Sequence, residues 1–412
     1  MTRSGLIGRT LSRTIRAMRA MDHGAGRVLG RRRVLVDARS PLNFAVMAPV
    51  VAALRRDAHV DVDVTSEGRH DIAPVFEQAG LGDRIVDRQR VNWTRYDLYL
   101  NADPWNPPAL ARTARRISFF HGVAGKYDLD QPKNEARPFD GYDRVAFINT
   151  DRMSRYLAAG IVTADQAALV GYPKLDALAC GAYDAASVRA SLRLDGGRPT
   201  VIYAPTWSPA SSLHVAGEAI IHALIARGFN VIAKLHDNCF LLSDKYAAGI
   251  DWRARLSRFA ASGRFALVEA ADSSPYLAAS DAMVTDHSSI GFEYLVLDRP
   301  LAVFDAPDLA RVARINPEKV ALLRSAATVA TSASALAEQV TASLADPSRL
   351  ADQRRRIAEH MFHRTGSATA RALVLAYELL ALRREVCCET RSDTAWQTRS
   401  AQAHPHHLTS RF

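Results

Sequence analysis

Residues 278–304 read AASDAMVTDHSSIGFEYLVLDRPLAVF. Within them, 282–284 have the character of a short buried strand. Residues 288–297 carry the apolar spacing of a helix, with Ile290, Phe292, Leu295 and Val296 on two adjoining faces. Asp286, His287, Ser288 and Ser289 therefore occupy the turn between strand and helix. Backbone N–H groups at a helix start have no intrahelical acceptor and carry the positive end of the helix dipole. Two serines placed there predict a phosphate site. A plain helix cap is the competing reading of Ser288, because serine and aspartate are the commonest caps. Asp298-Arg299-Pro300 then stops the helix, and 301–304 read as the next strand, completing a β-turn-α-β unit.

The same alternation extends on both sides. Upstream lie strands at 200–203, 231–234 and 265–268, with a helix at 215–227. Downstream, 334–344, 347–361 and 368–384 are amphipathic helices expected to pack on this second domain. An earlier series places strands at 34–36, 60–64, 97–100, 117–120, 145–148 and 168–170 and helices at 44–54, 71–78 and 151–159. Strands alternating with helices predict α/β domains with mostly parallel sheets covered on both faces. The chain divides into a domain at 34–181, a linker at 182–198 around Asp195-Gly196-Gly197, and a domain at 199–384. A ligand is expected in the cleft where the carboxyl ends of the two sheets face each other.

The strand ends carry the candidate chemistry. Strand 117–120 runs into His121-Gly122, with Lys126 five residues after the histidine. An imidazole at a cleft rim suits a general base, and Gly122 lets a ligand approach the backbone. Strand 200–203 ends in Ala204-Pro205-Thr206-Trp207, which brings a hydroxyl and an indole to the same rim. Strand 231–234 ends in Lys234-Leu235-His236-Asp237, where alternation sends Lys234 and His236 to one side as a point charge and a directional donor for a diphosphate. Lys174, in Gly171-Tyr172-Pro173-Lys174-Leu175-Asp176, could reach the cleft, and Asp272-Ser273-Ser274-Pro275-Tyr276 could touch a nucleotide. Each has a bland alternative: a structural histidine, a solvated lysine at a strand end, a turn, a helix cap. Neither a Walker-type loop nor a Gly-x-Gly-x-x-Gly turn occurs, which disfavours kinases and dehydrogenases.

The 412 residues are 48% hydrophobic and 23% charged, enough for two domains with sizeable cores and far from collagen-like or disulfide-dense composition. No apolar run reaches the roughly 20 residues a spanning helix needs, and no secretory signal follows the basic start. The net charge of +10 is concentrated in residues 1–33, where nine arginines face the single acid Asp22. The remainder is nearly balanced, so nucleic acid is not expected as a partner. In the leader, Ile7, Leu11, Ile15 and Met18 recur at helical spacing, which fits a helix lying on an anionic membrane surface. A flexible basic start and an organelle transit peptide are the alternatives. Cys180, Cys239, Cys387 and Cys388 lack zinc-site spacing and suit a reducing compartment. Residues 385–412 read as a solvated polar tail, in which His404, His406 and His407 are weak metal candidates at most.

Tyr203–Trp207 (YAPTW), Gly171–Asp176 (GYPKLD), His121-Gly122 with Lys126, and Ser280–Pro300 (SDAMVTDHSSIGFEYLVLDRP) resemble the CDP-glycerol glycerophosphotransferases that build teichoic-acid-like polymers. The resemblance implies a GT-B fold, two Rossmann-like domains facing a cleft, with the donor nucleotide mainly on the second. It implies that His121 deprotonates an acceptor hydroxyl and that His236 meets the donor phosphates. Ser288 and Ser289, beside Asp286, would hold the phosphoryl or glycerol end. Three segments depart from the family pattern: Val123-Ala124-Gly125 replaces Thr-Pro-Leu, Lys234-Leu235-His236 replaces Arg-Pro-His, and His287 stands where a tyrosine is usual. The expected function is transfer of glycerol phosphate, or a related polyol phosphate, from a CDP-activated donor to a hydroxyl of a lipid-linked or cell-surface glycan. The CDP-polyol is a substrate, and neither a cofactor nor a metal is expected. The expected site is cytoplasmic, at the inner face of the plasma membrane. A nucleotide-sugar glycosyltransferase, a UDP-sugar epimerase on the same fold, and a non-catalytic scaffold are the alternatives.

Overall fold

Val34, Leu35 and Val36 are fully buried, as a strand covered on both faces requires. The computed structural model describes residues 30–67, 71–103, 114–123 and 138–383. The leader up to residue 29, Lys126 and the tail from 385 lie outside the described residues.

The first domain runs β1 (Arg32–Asp37), α1 (Pro41–Arg56), β2 (Val60–Thr65), α2 (Ala73–Gln78), α3 (Arg88–Trp93), β3 (Leu98–Ala102), β4 (Arg115–Phe119), β5 (Arg144–Phe147), α4 (Thr150–Ala158) and β6 (Ala167–Leu169). Its strands form one parallel sheet in the order β2-β1-β3-β4-β5-β6, with Val36 opposite both Val64 and Leu100. Short helices α5 (Asp176–Ala179) and α6 (Ala185–Ser191) follow.

The second domain continues with β7 (Thr200–Ala204), α7 (Ser212–Ala226), β8 (Asn230–Lys234), α8 (Trp252–Ser257), β9 (Phe265–Val268), α9 (Ser274–Ala278), β10 (Ala282–Thr285), α10 (Ser289–Leu295) and β11 (Leu301–Phe304). It closes with α11 (Pro307–Val312), α12 (Pro317–Ser325), β12 (Thr328–Ala330), α13 (Ala333–Ala345), α14 (Ala351–Met361) and α15 (Ala368–Leu380). This second parallel sheet has the order β12-β11-β10-β7-β8-β9. In each sheet the direction of strand addition reverses once, between β1 and β3 and between β7 and β10. Such a reversal splays the two following loops apart and leaves a crevice at the carboxyl ends of the strands.

Residues 182–198 contain the short helix α6, whose Arg189 Nη1 donates to the Ala279 carbonyl at 2.9 Å. One expectation about packing needs correction: not all three C-terminal helices stay on the second domain. α13 and α14 do, but α15 packs against α1 of the first domain and buries Ala372, Leu375, Ala376 and Leu380. Its junction is fixed by Asp176, which accepts from the amides of Gly366, Ala368 and Thr369 at 2.9, 3.1 and 2.6 Å. Arg32 and Arg371 add bonds to Leu380 O and Val170 O at 2.9 and 2.7 Å. An apolar helix stripe says that something is buried, not against which sheet.

Candidate active site

Phe120, just past β4, packs its ring against Phe139, Phe147 and Tyr156 at centroid distances of 5.7, 5.2 and 5.6 Å. With Phe120 pinned inward, His121 turns into the cleft between the domains. Its N–H donates to Asp103 Oδ1 at 3.3 Å, its carbonyl accepts from the Tyr172 hydroxyl at 2.9 Å, and its Nδ1 pairs with Asp103 Oδ2. Burial pushes the Tyr172 hydroxyl well above its ordinary pKa, so it remains a donor at neutral pH. Beneath this corner the buried Arg152 guanidinium donates to the Gly122 carbonyl at 2.7 Å and lies 5.0 Å from the Phe120 ring centre. Among the described residues, a Cβ at Gly122 would meet no atom within 4 Å.

The facing wall comes from the second domain at its strand-order reversal. Lys234 at the end of β8 is buried, and its Nζ donates to the Leu235 carbonyl at 2.9 Å. Burial pushes its pKa down, Lys174 adds to that, and Asp237, Cys239 and Asp272 oppose it. His236 Nδ1 accepts from the Asn238 amide at 3.1 Å. A neutral ring that accepts at Nδ1 carries its proton on Nε2, which makes that atom a donor. The Trp207 ring lies 5.9 Å from that of His236 and 5.2 Å from that of Tyr246.

The floor joins the two walls. Lys174, on the segment after β6, donates to Ser273 Oγ at 2.9 Å and forms an ion pair with Glu293 of α10. Both charged residues are buried. The cavity bounded by these elements is lined by His121, Gly122, Lys174, Trp207, Lys234, His236, Ser288, Ser289 and Glu293. Among the described residues no three His, Cys, Asp or Glu side chains converge as metal ligands.

Residues 117–375, more than half of the chain, match the family described as CDP-glycerol:poly(glycerophosphate) glycerophosphotransferase. The chain belongs to that family. It is an enzyme of the CDP-glycerol glycerophosphotransferase type, and the match spans both walls of the cavity. Among solved structures it is similar to the wall teichoic acid polymerase TagF. A histidine-to-asparagine variant of TagF soaked with CDPG gives a TM-score of 0.63 at 15% identity, covering 92% of this chain and 99% of that one. TagF itself gives 0.62 at 14% identity over 91% and 96%. A putative UDP-N-acetylglucosamine 2-epimerase from Listeria monocytogenes gives 0.57 at 16% identity over 86% and 98%. At these identities the likeness is one of fold, the two facing α/β domains of the GT-B arrangement. No curated protein sequence matches the chain significantly.

In this glycerophosphotransferase the residues read from the sequence divide. His121, Gly122, Lys174, Lys234, His236, Ser288 and Ser289 come together on the cavity surface. The Ser288 side chain makes no cap hydrogen bond, so the plain-cap reading lacks the contact that defines it. Asp286 and Thr206 do not reach that surface, which corrects the expectation that they touch the donor. Asp286 is fully buried and accepts from Thr206 N at 2.9 and 3.1 Å, from Ser212 N at 3.1 Å and from Ser212 Oγ at 3.0 Å. It braces the loops after β7 and β10 from behind. Lys174 is neither an exposed turn residue nor an isolated cation, because Glu293 holds it. Three neighbours went unread: Asp103, Arg152 and Glu293. Asp103 follows the end of β3 and was open to the strand-end rule that found His121. Glu293 is four residues after Ser289, hence on the same helix face. Arg152 has no signal beyond being one arginine among many.

Proposed function

We propose that the enzyme transfers glycerol phosphate, or a related polyol phosphate, from a CDP-activated donor to a hydroxyl of a lipid-linked or cell-surface glycan acceptor. The observation that carries this is the meeting, across one cavity, of a first-domain histidine with second-domain phosphate-type donors: Lys234, His236, Ser288 and Ser289. The second domain holds the donor diphosphate and the first presents the acceptor. The acceptor oxygen attacks the β-phosphorus while its proton passes to His121. A phosphorus–oxygen bond forms to the acceptor, and the bond from that phosphorus to the bridging oxygen breaks. CMP leaves with the bridging oxygen. Lys234 and His236 would balance charge on the departing phosphate, a role in which removal of one donor costs about 10²–10³ in kcat. Loss of the base costs about 10²–10⁴. The enzyme works at the cytoplasmic face of the plasma membrane, held there by the basic leader. Among the described residues no helix is long and apolar enough to cross a membrane.

The test follows phosphorus by NMR while the protein is incubated with CDP-glycerol, CDP-ribitol or a UDP-sugar and a glycan acceptor extract. A phosphodiester signal growing with equimolar CMP supports the proposal and names the donor. The likeness to 2-epimerases gives a second reading, and release of UDP, or isomerisation of the UDP-sugar without acceptor, would establish it instead.

A further inference from the structure

Asp103 sits one residue beyond β3, at the strand-order reversal of the first sheet, with φ +77°. Aspartate and asparagine are the side chains that best tolerate this left-handed region after glycine, and a residue held there marks a backbone kept in place by its surroundings. The clamp is visible. Asp103 N–H donates to Phe119 O at 2.6 Å, and its carbonyl accepts from Asn101 Nδ2 at 2.8 Å. Asn101 is buried and also donates to the Tyr142 hydroxyl at 2.7 Å. The kink turns the carboxylate onto the next strand end, where one oxygen takes the His121 amide and the other the His121 ring.

We infer that Asp103 is the positioning residue of the reaction, a carboxylate that fixes the tautomer of His121 and stabilises its protonated form. This rests on the reading of His121 as the base. Asp103 Oδ2 accepts the Nδ1 proton, so the neutral ring offers Nε2 as the basic atom for the acceptor hydroxyl. When that hydroxyl proton arrives at Nε2, the imidazolium lies against a carboxylate. No further covalent change is needed, and the proton stays on His121 until solvent or product removes it. An unassisted imidazole would have either tautomer open to it, and only one places a lone pair at Nε2. Among the described residues of the first domain, the cationic Arg152 and the neutral Tyr172 are bonded at this corner. Across the cavity lie Lys174 with Glu293, and Lys234 with His236. Asp103 is an anion in direct contact with the ring.

The experiment compares Asp103→Asn, Asp103→Gly and His121→Ala under the NMR assay with CDP-glycerol. Asparagine tolerates the positive φ and keeps an acceptor for the His121 amide, so the fold should survive. Its kcat should fall at least 100-fold while the donor KM stays within threefold. The acid limb of its kcat/KM profile should move to lower pH, because the imidazolium has lost its counter-charge. Asp103→Gly relaxes the backbone, leaves a space beside Nδ1, and should regain activity on adding formate. A purely structural Asp103 predicts neither the pH shift nor the formate response, and their joint absence would overturn the inference. If His121→Ala keeps full turnover, the base reading falls. If His121→Ala is inactive and Asp103→Asn stays within twofold of the parent, only the Asp103 inference falls.

Discussion

Replacing Lys174 by methionine should destabilise the protein by about 3–5 kcal/mol. Lys174 and Glu293 are 3% and 4% exposed, and the ammonium is bonded to the Glu293 carboxylate and to Ser273 Oγ. Among the described residues, the Glu293 carboxylate has no other hydrogen-bond donor. Methionine fills most of the lysine volume, so the loss is electrostatic rather than a cavity. It leaves a carboxylate out of water without its counter-ion. Replacing both partners, as Lys174→Met with Glu293→Leu, removes the unpaired charge as well and should return most of that loss, because a buried ion pair is worth little more than apolar groups of the same shape. The assay is urea unfolding of the parent, both single variants and the double variant, read by circular dichroism and tryptophan fluorescence so that coincident transitions support one free energy. The reasoning is refuted if Lys174→Met costs under about 1 kcal/mol, the value of an exposed pair. It is refuted equally if the double variant is as unstable as the single, because then packing and not the orphaned carboxylate sets the cost.

Three further outcomes are expected. Burial holds the Lys234 pKa below its unfolded 10.5, so the unfolded chain binds more protons and apo stability rises with pH through the window between the lowered value and 10.5. In the proposed function a diphosphate bound beside Lys234 would restore its charge. Donor binding should therefore take up a proton and weaken as pH rises through the same window. Calorimetry in buffers of different ionisation enthalpy should show that uptake in the parent and lose it in Lys234→Met. Gly171 has φ +90°, and a Cβ there would lie 2.5 Å from His363 O, so Gly171→Ala should cost about 2–4 kcal/mol in urea unfolding. Loss of less than about 0.5 kcal/mol would contradict that geometry. Removing residues 1–29, which hold six arginines and one acid, should weaken sedimentation with phosphatidylglycerol vesicles by at least about 100-fold and leave binding to neutral vesicles unchanged. Equal binding by both forms would move the membrane contact elsewhere.

Much of this architecture was legible because strands covered on both faces spell themselves out. Val34–Val36, Val231–Ala233 and Ala282–Val284 are apolar runs that end in polar residues, and in a parallel sheet the end of a strand is also the edge of the cleft. That rule singled out His121, Lys234, His236, Ser288 and Ser289, which the fold brings together on one cavity surface. It misread Asp286, because a carboxylate at a strand end can equally turn back to collect the amides of neighbouring loops, and nothing local separates the two fates. Glu293 stayed invisible for a related reason. Its meaning comes from Lys174, 119 residues away, and a pairing made only by the closing of two domains leaves no local trace. The return of α15 to the first domain is the same kind of fact, since its apolar stripe suits either sheet.

The two sheets differ in strand order, yet each places its single reversal against the same cavity. On the first, the start of α1 after β1 supplies Leu42, and the residue after β3 is the Asp103 that grips His121. On the second, the loops after β7 and β10 are drawn together from behind by Asp286 and leave Trp207, Ser288 and Ser289 in front. In the proposed reaction an imidazole on one domain and phosphate-type donors on the other work together only if their spacing holds, and two domains joined by one linker would rock by default. Here the connection is made more than once. Lys174 reaches Glu293 and Ser273 beneath the cavity, Asp176 ties the start of α15, and the Asn149 side chain and Ile148 carbonyl meet Met361 O and His363 N, both at 2.9 Å. The chain crosses between the domains twice, at 182–198 and again before α15. Each crossing is fastened beside residues that line or support the site, so the packing that closes the fold also sets the width of the cavity between His121 and the second-domain side chains.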